Sequence, residues 1–161
     1  MGESGTYAQY AERIPLFKDW SEEDVGNFLA RGTMQNVENG KVIFERGTRG
    51  NSLYIVFSGI VDIFTGEFPI AQCTVGDAFG MVSCIDHRQR TATAVAGSNV
   101  LLFVLDGKHI PDILHQKYAT RFLLNVIHLL GGHLANANGH IAAMESKLAR
   151  IERTRTPAHR E

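Results

Sequence analysis

The sequence is short of cysteine, of net charge and of long apolar runs, and each shortage excludes a class of protein. Only two of its 161 residues are cysteines, and Cys73 and Cys84 form neither a CxxC pair nor a zinc-ligand spacing. Because no charged-then-apolar leader is visible either, we expect reduced thiols and a cytoplasmic location. No uninterrupted apolar run approaches the ~20 residues of a membrane span. The net charge of −1 gives no overall attraction to nucleic acid or to an anionic membrane.

Catalytic motifs are absent as well. The region rich in β-forming residues contains a single histidine, His87, whereas a metal-dependent jelly-roll enzyme needs clustered histidines and a glutamate. Ser83 lies close to His87 in sequence, but no GxSxG motif surrounds it. His133 and His140 are seven residues apart and would share a helical face suited to a metal or haem, although exposed helix histidines are the commoner case. We expect no enzymatic activity, no metal and no cofactor.

The chain divides into three regions, within what its length predicts to be one domain. Up to about Arg31 the pattern is helical, because Ser21 supplies an N-cap that acidic residues follow. Over 34–105, short runs rich in Val, Ile, Phe and Thr alternate with turn residues. From Gly107 onward the spacing of apolar residues becomes helical again.

The middle region predicts an antiparallel β sandwich or barrel of about seven or eight short strands. Asn39-Gly40 lies between two β-prone segments, which is a strong signal for a hairpin. Similar turn signals recur at about ten-residue spacing and exclude a helical repeat. They are Asn39-Gly40, Gly47–Asn51, Ser58-Gly59, Thr65-Gly66, Gly76-Asp77 and Gly97–Asn99.

A long helix, predicted over 117–151, carries a continuous apolar seam. Its residues are alternately four and three positions apart over about four heptads, a repeat typical of a helix that pairs with another helix. They are Leu123, Ile127, Leu130, Leu134, Ala137, Ile141, Met144, Leu148 and Ile151. We expect a homodimeric coiled coil; the alternative is a helix packed on its own β domain. Gly131-Gly132 is expected to interrupt the helix, and 154–161 to form a polar tail.

The segment from Gly76 to Ala96 carries the clearest functional signal. A Gly-Asp turn is followed by Phe79-Gly80 and, after a short loop, by Arg90. A tight loop rich in free backbone N–H groups, closed by a guanidinium with five donors and no acceptor, suits a single phosphate group. The residues therefore predict a receptor for a small phosphorylated ligand.

Together these features resemble the cyclic nucleotide-binding domain family, found in catabolite-activator-type regulators, kinase regulatory subunits and gated channels. The resemblance extends from about Phe17 to Leu148. It rests on Gly40, Glu45-Arg46-Gly47, Leu53-Tyr54-Ile55-Val56, Gly59, Gly76-Asp77, Phe79-Gly80 and Arg90-Thr91-Ala92. It implies a mainly β domain over 1–153: an antiparallel β jelly roll over 34–105 with an N-terminal helical segment and a C-terminal dimerisation helix over 117–151. A phosphate-binding cassette with a short helix would lie between two strands.

The resemblance also implies a ligand site. Arg90 would pair with the cyclic phosphate through charge-assisted hydrogen bonds. Backbone N–H groups near Val82 and Ser83 would complete the cradle, and Thr91 would lie beside the phosphate and the base. Residues of the long helix would cap the base. The implied ligand-binding residues are Phe79, Gly80, Met81, Val82, Ser83, Arg90, Thr91, Asn136 and Asn138.

Met81 departs from the family pattern. The family has a glutamate directly after the cassette glycine, and its carboxylate accepts the ribose 2′-hydroxyl. A thioether is at most a weak acceptor, and losing a hydrogen bond to a charged group costs about 1.5–3 kcal/mol. Three alternatives stay open: weak binding of a cyclic nucleotide, binding of a different ligand, and no binding.

The sequence thus predicts a regulatory sensor domain that binds cAMP, cGMP or a related phosphorylated ligand and signals through its C-terminal helix in a homodimer. Its output would pass to an effector protein. Only about ten polar residues follow the helix, so we expect no direct DNA binding by this chain. The alternatives are a degenerate module that serves as a dimerisation or protein-interaction scaffold, and the sensor fragment of a transcription regulator.

Overall fold

The computed structural model describes residues 12–155. The polar tail predicted over 154–161 lies outside this range from residue 156 onward. Contacts divide the chain into two compact units, one up to Asn125 and one from Val126. The first unit contains the β region and the short helices, and the second contains most of the long helix.

The N-terminal segment is helical where it is described. A 3-10 helix covers Pro15–Phe17, and helix α1 covers Glu22–Leu29. The predicted N-cap is confirmed, since Ser21 Oγ accepts a hydrogen bond of 3.2 Å from the backbone N–H of Asp24. The first turn of α1 holds three acidic residues, which the positive end of the helix dipole stabilises.

Within residues 12–155, eight antiparallel strands form two four-stranded sheets, which confirms the predicted fold class. They are β1 (Thr33–Val37), β2 (Val42–Phe44), β3 (Ser52–Ser58), β4 (Val61–Thr65), β5 (Phe68–Cys73), β6 (Ala78–Phe79), β7 (Thr93–Ala96) and β8 (Val100–Asp106). The first sheet has the order β1-β8-β3-β6, and the second has the order β2-β7-β4-β5. Strands adjacent in sequence therefore alternate between the sheets at several points, as in a jelly roll.

The hairpin predicted at Asn39-Gly40 is wrong. The chain does turn there, with Gly40 at a φ of 79°, but the flanking strands β1 and β2 belong to different sheets. The turn bonds elsewhere: the N–H of Gly40 donates to the carbonyl of Ala96 at 2.7 Å, and the N–H of Asn39 donates to Asn99 Oδ1 at 2.9 Å. The dipeptide thus marks a corner between sheets.

The core of the first unit lies between the two sheets. Val56 and Leu102 from the first sheet and Val61 and Ala94 from the second are completely buried members of one apolar cluster. Burying a valine or leucine side chain in this way contributes about 1.5–3 kcal/mol. This core fixes the positions of the strand ends and loops that hold the candidate site.

Short helices follow two of the later strands, β6 and β8. Helix α2 covers Met81–Asp86, between β6 and β7. This is the position predicted for the cassette helix. A 3-10 helix at Gly107–His109 and helix α3 at Ile110–Leu114 follow β8. None of the helices in residues 12–155 is both long enough and apolar enough to cross a membrane.

Helix α4 covers Ala119–Arg155 without a break. The interruption predicted at Gly131-Gly132 is therefore wrong, although each glycine lowers helix stability by about 1 kcal/mol relative to alanine. A Cβ on either glycine would meet no atom within 4 Å, so no packing within this chain requires glycine there. The later seam residues are exposed, Leu134 by 63% and Ile141 by 55%.

Candidate functional site

Arg90 lies in the loop between α2 and β7, and its backbone is fixed on both sides. Its N–H donates to the carbonyl of Thr48, and its carbonyl accepts from the N–H of Gly47, both at 2.8 Å. The side chain points inward and is only 4% exposed. Its two exposed neighbours, Gln89 and Thr91, follow the alternation expected of extended chain.

The guanidinium is held at its far end by three oxygen acceptors. Nη1 donates to the carbonyl of Gly80 at 2.8 Å and to Ser83 Oγ at 2.5 Å. Nη2 donates to the carbonyl of Ser52 at 2.7 Å. Ser52 begins β3, whereas Gly80 and Ser83 belong to the start of α2, so Arg90 joins the cassette to the first sheet. We call Arg90, Gly80, Ser83 and Ser52 the Arg90 site.

Aromatic rings cover part of the guanidinium. Its Cζ lies 4.1 Å from the ring centroid of Phe44 and 5.6 Å from that of Tyr54. Both distances are within the range of a cation–π interaction. The Tyr54 ring in turn stacks on Phe79 at 5.1 Å with an interplanar angle of 13°. Phe79, one of the predicted residues, therefore supports the site through Tyr54.

The described part of the chain provides no carboxylate that neutralises this buried cation. Among residues 12–155, none of the salt bridges involves Arg90. Burial lowers the pKa of Arg90, and interactions with Tyr54 and Cys84 oppose part of that change. The Nε donor is buried and has no hydrogen-bond partner. A buried charge without an opposite charge is costly, and an anion could remove that cost.

Helix α2 contributes backbone donors next to the guanidinium. Its N-cap, Gly80, has a φ of 75°, in the left-handed region that favours glycine. The N–H groups of Met81, Val82 and Ser83 lie in the first turn, so they have no acceptor within the helix. Free N–H groups beside a cation are suited to an oxyanion.

A family model described as the cyclic nucleotide-binding domain matches residues 34–117, more than half of the chain. The chain belongs to the cyclic nucleotide-binding domain family. The match begins at β1 and ends after α3, and it includes β6, α2 and Arg90.

Individual proteins show the same relationship. The cyclic AMP receptor protein of Thermus thermophilus is 34% identical over 96 residues, which are 56% of this chain and 44% of that protein. The cAMP-dependent protein kinase regulatory subunit of Mucor circinelloides is 29% identical over 91 residues, 56% of this chain and 21% of that protein. This cyclic nucleotide-binding domain thus spans less than half the length of either curated relative.

A solved structure gives the fold independently. The cyclic nucleotide-binding domain from Methylobacillus flagellatus superimposes with a TM-score of 0.78, over 89% of this chain and 87% of that chain. The sequences are 21% identical, so this likeness concerns the fold alone. The jelly roll and its flanking helices are thus those of cyclic nucleotide-binding domains.

The predicted cassette residues differ in their exposure. Met81 and Ser83 are buried, at 3% and 5% exposure, whereas Val82 is 51% exposed. Thr91 is exposed and precedes β7. Gly80, Ser83 and Arg90 are in direct contact, so the geometry brings together part of the predicted set.

Asn136 and Asn138 lie on different sides of helix α4. Both lie in α4 and are exposed. Residues two apart in an α-helix are separated by about 200° around its axis. The two side chains therefore leave α4 in different directions, and a base-capping role for Asn136 or Asn138 stays a prediction.

Sequence reasoning missed three contributors to the site. Ser52 supplies a carbonyl acceptor, Phe44 supplies a ring, and Gly50 lies against the guanidinium. All three come from β2, β3 or the loop between them, about forty positions before Arg90. A local signal existed only for the glycine, as part of the turn over Gly47–Asn51.

The positions of the metal-ligating side chains bear on the metal site considered for His133 and His140. Within the described residues, 12–155, no three His, Cys, Asp or Glu side chains come close enough together to hold a metal ion. His133 and His140, the predicted candidates, are both exposed on α4.

Proposed function

We propose that this chain is a non-enzymatic regulatory sensor domain that binds a cyclic nucleotide, or a related phosphorylated ligand, at the Arg90 site. The phosphate would lie between the Arg90 guanidinium and the N–H groups of the first turn of α2. Ligand binding would be passed on through α4, in a homodimer, to an effector protein. Since both cysteines are free and buried, we assign this activity to the cytoplasm.

The observation that carries the proposal is the buried, unneutralised charge of Arg90. Arg90 is 4% exposed, and its guanidinium forms no salt bridge within residues 12–155 and retains an unpartnered Nε donor. A cyclic phosphate carries one negative charge and would supply the missing partner. Charge-assisted hydrogen bonds of this kind are about twice as strong as neutral ones.

The choice of nucleotide rests on the relatives. The names of two of them refer to cyclic AMP, which supports cAMP as the first ligand and cGMP as the second. Met81 reduces the expected affinity for both, because its thioether replaces the glutamate that the family resemblance implies. The missing hydrogen bond corresponds to a loss of about ten- to a hundredfold in affinity.

The output through α4 is supported by its exposed seam. Ile127, Leu134, Met144 and Leu148 are all at least 59% exposed, and they belong to the 3.5-residue repeat of a coiled coil. A second copy of the chain would cover them. A ligand could control this assembly only by binding one helix arrangement more tightly than the other.

One observation favours a second candidate, a dimerisation scaffold without a ligand. Nη1 and Nη2 of Arg90 already bond to protein oxygens, and Met81 is 3% exposed. A domain whose cassette is self-satisfied in this way could support assembly alone. Measurement of nucleotide binding separates the two candidates.

Isothermal titration of the full chain with cAMP and with cGMP tests the proposal. We expect measurable binding that Arg90→Ala weakens at least about a hundredfold, because a charge-assisted contact with phosphate is lost. Arg88→Ala is the matched control, since the Arg88 side chain is 80% exposed and pairs only loosely with Asp86 at 3.6 Å. Absence of heat and of a thermal shift with the wild type would favour the scaffold.

Met81→Glu sharpens the same test. A glutamate in the first turn of α2 would restore an acceptor for the ribose hydroxyl and would be favoured by the helix dipole. We expect a gain of about ten- to a hundredfold in affinity for cAMP or cGMP. Met81→Leu, which keeps the apolar character, should leave the affinity unchanged. Equal affinities of both variants would contradict this account of position 81.

A further inference from the structure

Among the contacts that Arg90 receives from outside the cassette, those of Phe44 and Gly50 have different roles. The Phe44 ring lies over the guanidinium, and the backbone of Gly50 lies directly against it. We infer that Phe44 and Gly50 are positioning residues of the Arg90 site: they hold a buried guanidinium in place without neutralising it. The inference rests on the proposed function only where ligand affinity is measured.

Phe44 supplies an attraction that leaves the charge available. A carboxylate beside Arg90 would cancel its charge and occupy its in-plane N–H groups. An aromatic face attracts a cation from above the plane, through the ring quadrupole. The distance of 4.1 Å from Cζ to the ring centroid fits that geometry. The ring therefore stabilises Arg90 without neutralising its charge.

Gly50 leaves room for the Arg90 guanidinium because it has no side chain. A Cβ added at Gly50 would overlap Nε and Cζ of Arg90 and would lie 2.7 Å from Cδ. The three atoms nearest to that Cβ all belong to Arg90. Since they form the far end of a flexible side chain, the cheapest relief of the clash is displacement of the guanidinium itself. Any side chain at position 50 should therefore move Arg90 while the fold persists.

A double-mutant cycle without ligand tests the role of Gly50. We expect Gly50→Ala to shift the unfolding equilibrium of the wild type by about tenfold or more, because Arg90 loses its hydrogen bonds. In the Arg90→Ala background the same change should have little effect, since nothing remains to clash. If Gly50→Ala alone fails to fold, the double variant must still fold. Additive effects, or an unfolded double variant, would overturn the inference.

Arginine side-chain NMR tests the geometry directly. The Nε–H signal of Arg90, assigned by its loss in Arg90→Lys, should be displaced by the ring current of Phe44. Both Phe44→Leu and Gly50→Ala should return it toward the position of an exposed arginine. Phe64→Leu, a half-buried phenylalanine of the same sheet, is the matched control and should leave it unmoved. A wild-type signal already at the exposed position would overturn the inference.

Nucleotide titrations then connect positioning to binding. We expect Phe44→Leu to weaken affinity roughly three- to thirtyfold, the range of a cation–π contact, while Phe44→Tyr retains it. Gly50→Ala should approach the affinity of Arg90→Ala, and Gly26→Ala, with no atom within 4 Å of its Cβ, should not change it. If the wild type binds no nucleotide, the proposed function fails, and the ligand-free cycle and NMR signal still decide the positioning roles. Unchanged affinity in Gly50→Ala beside a binding wild type would overturn them.

Discussion

The two units of the chain differ in how far the apolar residues of their regular patterns are exposed. In the jelly-roll unit, Leu53, Ile55 and Phe103 are at most 2% exposed. In the unit from Val126, the seam residues Leu134 and Met144 are 63% and 65% exposed. Both patterns are regular in sequence, one with strand periodicity and one with the heptad repeat of a coiled coil.

The comparison shows that burial within this chain covers the apolar residues of the first unit but not those of the later seam. The jelly roll encloses its own core, so its stability and its Arg90 site belong to one chain. Within residues 12–155 the later seam residues of α4 lie exposed, and the proposed second copy of the chain would cover them. Ligand binding and assembly can therefore be tested by separate substitutions.

The largest expected effect lies in the core of the jelly-roll unit. The ring centroid of Phe28 lies 5.2–5.8 Å from those of Phe17, Trp20, Phe103 and Phe122, and Phe28 is fully buried. Phe28→Ala should lower the free energy of unfolding by about 3–5 kcal/mol, through lost burial and a cavity. Urea denaturation measures this value.

An exposed phenylalanine of the same unit provides the control for Phe28. Phe68 lies in the edge strand β5 and is 76% exposed. Phe68→Ala should change the free energy of unfolding by less than about 0.5 kcal/mol. Similar losses for Phe28→Ala and Phe68→Ala would mean that the aromatic cluster does not form the core described above.

The fold was predictable because most of its signals are local. Strand periodicity, turn residues and the Ser21 cap each act within a few positions, and the structure bears them out. Asn39-Gly40 shows the limit: its turn forms, but the partners of β1 and β2 are chosen by sheet topology rather than by the turn. Gly131-Gly132 shows another limit, since the local cost of glycine does not end a helix of 37 residues.

The Arg90 site was predictable only on the cassette side. Gly80 and Ser83 lie within ten positions of Arg90, so a short motif includes them. Ser52 and Phe44 reach Arg90 because β3 and β6 are paired in the first sheet and because the loop after β2 bonds to the Arg90 backbone. No spacing in the sequence predicts those contacts, because they depend on how the sheets assemble.

The next largest effect concerns the α4 seam. Leu134→Asp combined with Ile141→Asp would bury carboxylates in any helix pair that the seam forms. We expect self-association to weaken by at least about a hundredfold, measured by sedimentation velocity. The matched control is Ala135→Asp with Ala142→Asp, which places the same charges on the same helix, one residue away from the seam.

Two results would contradict the assignment of the seam to a second copy. One is a wild-type chain that sediments as a monomer at micromolar concentration. The other is a seam variant that associates as strongly as its control. Either result would leave the Arg90 site unaffected, because its residues all lie in the first unit, which ends at Asn125.

The effect that is smallest at neutral pH comes from a buried thiol in the jelly-roll core. Burial, aided by the charge of Asp77, raises the pKa of Cys73 from 9.0 to about 12. Above pH 9 the unfolded chain loses this proton while the folded chain keeps it, so the folded state loses stability as the pH rises. The loss should reach about 1.4 kcal/mol per pH unit between about pH 9 and 12 and be absent below pH 9.

Cys73→Ala isolates this contribution. The variant should show a smaller decline in the free energy of unfolding above pH 9, by about 1.4 kcal/mol per unit, in urea titrations at successive pH values. Part of the alkaline decline should persist, because burial also raises the pKa of Cys84 and of Tyr118. Identical alkaline slopes for wild type and variant would mean that the Cys73 thiol reaches solvent. The contrast between a buried core and an exposed seam would then fail at β5, because the core would be open to solvent at Cys73.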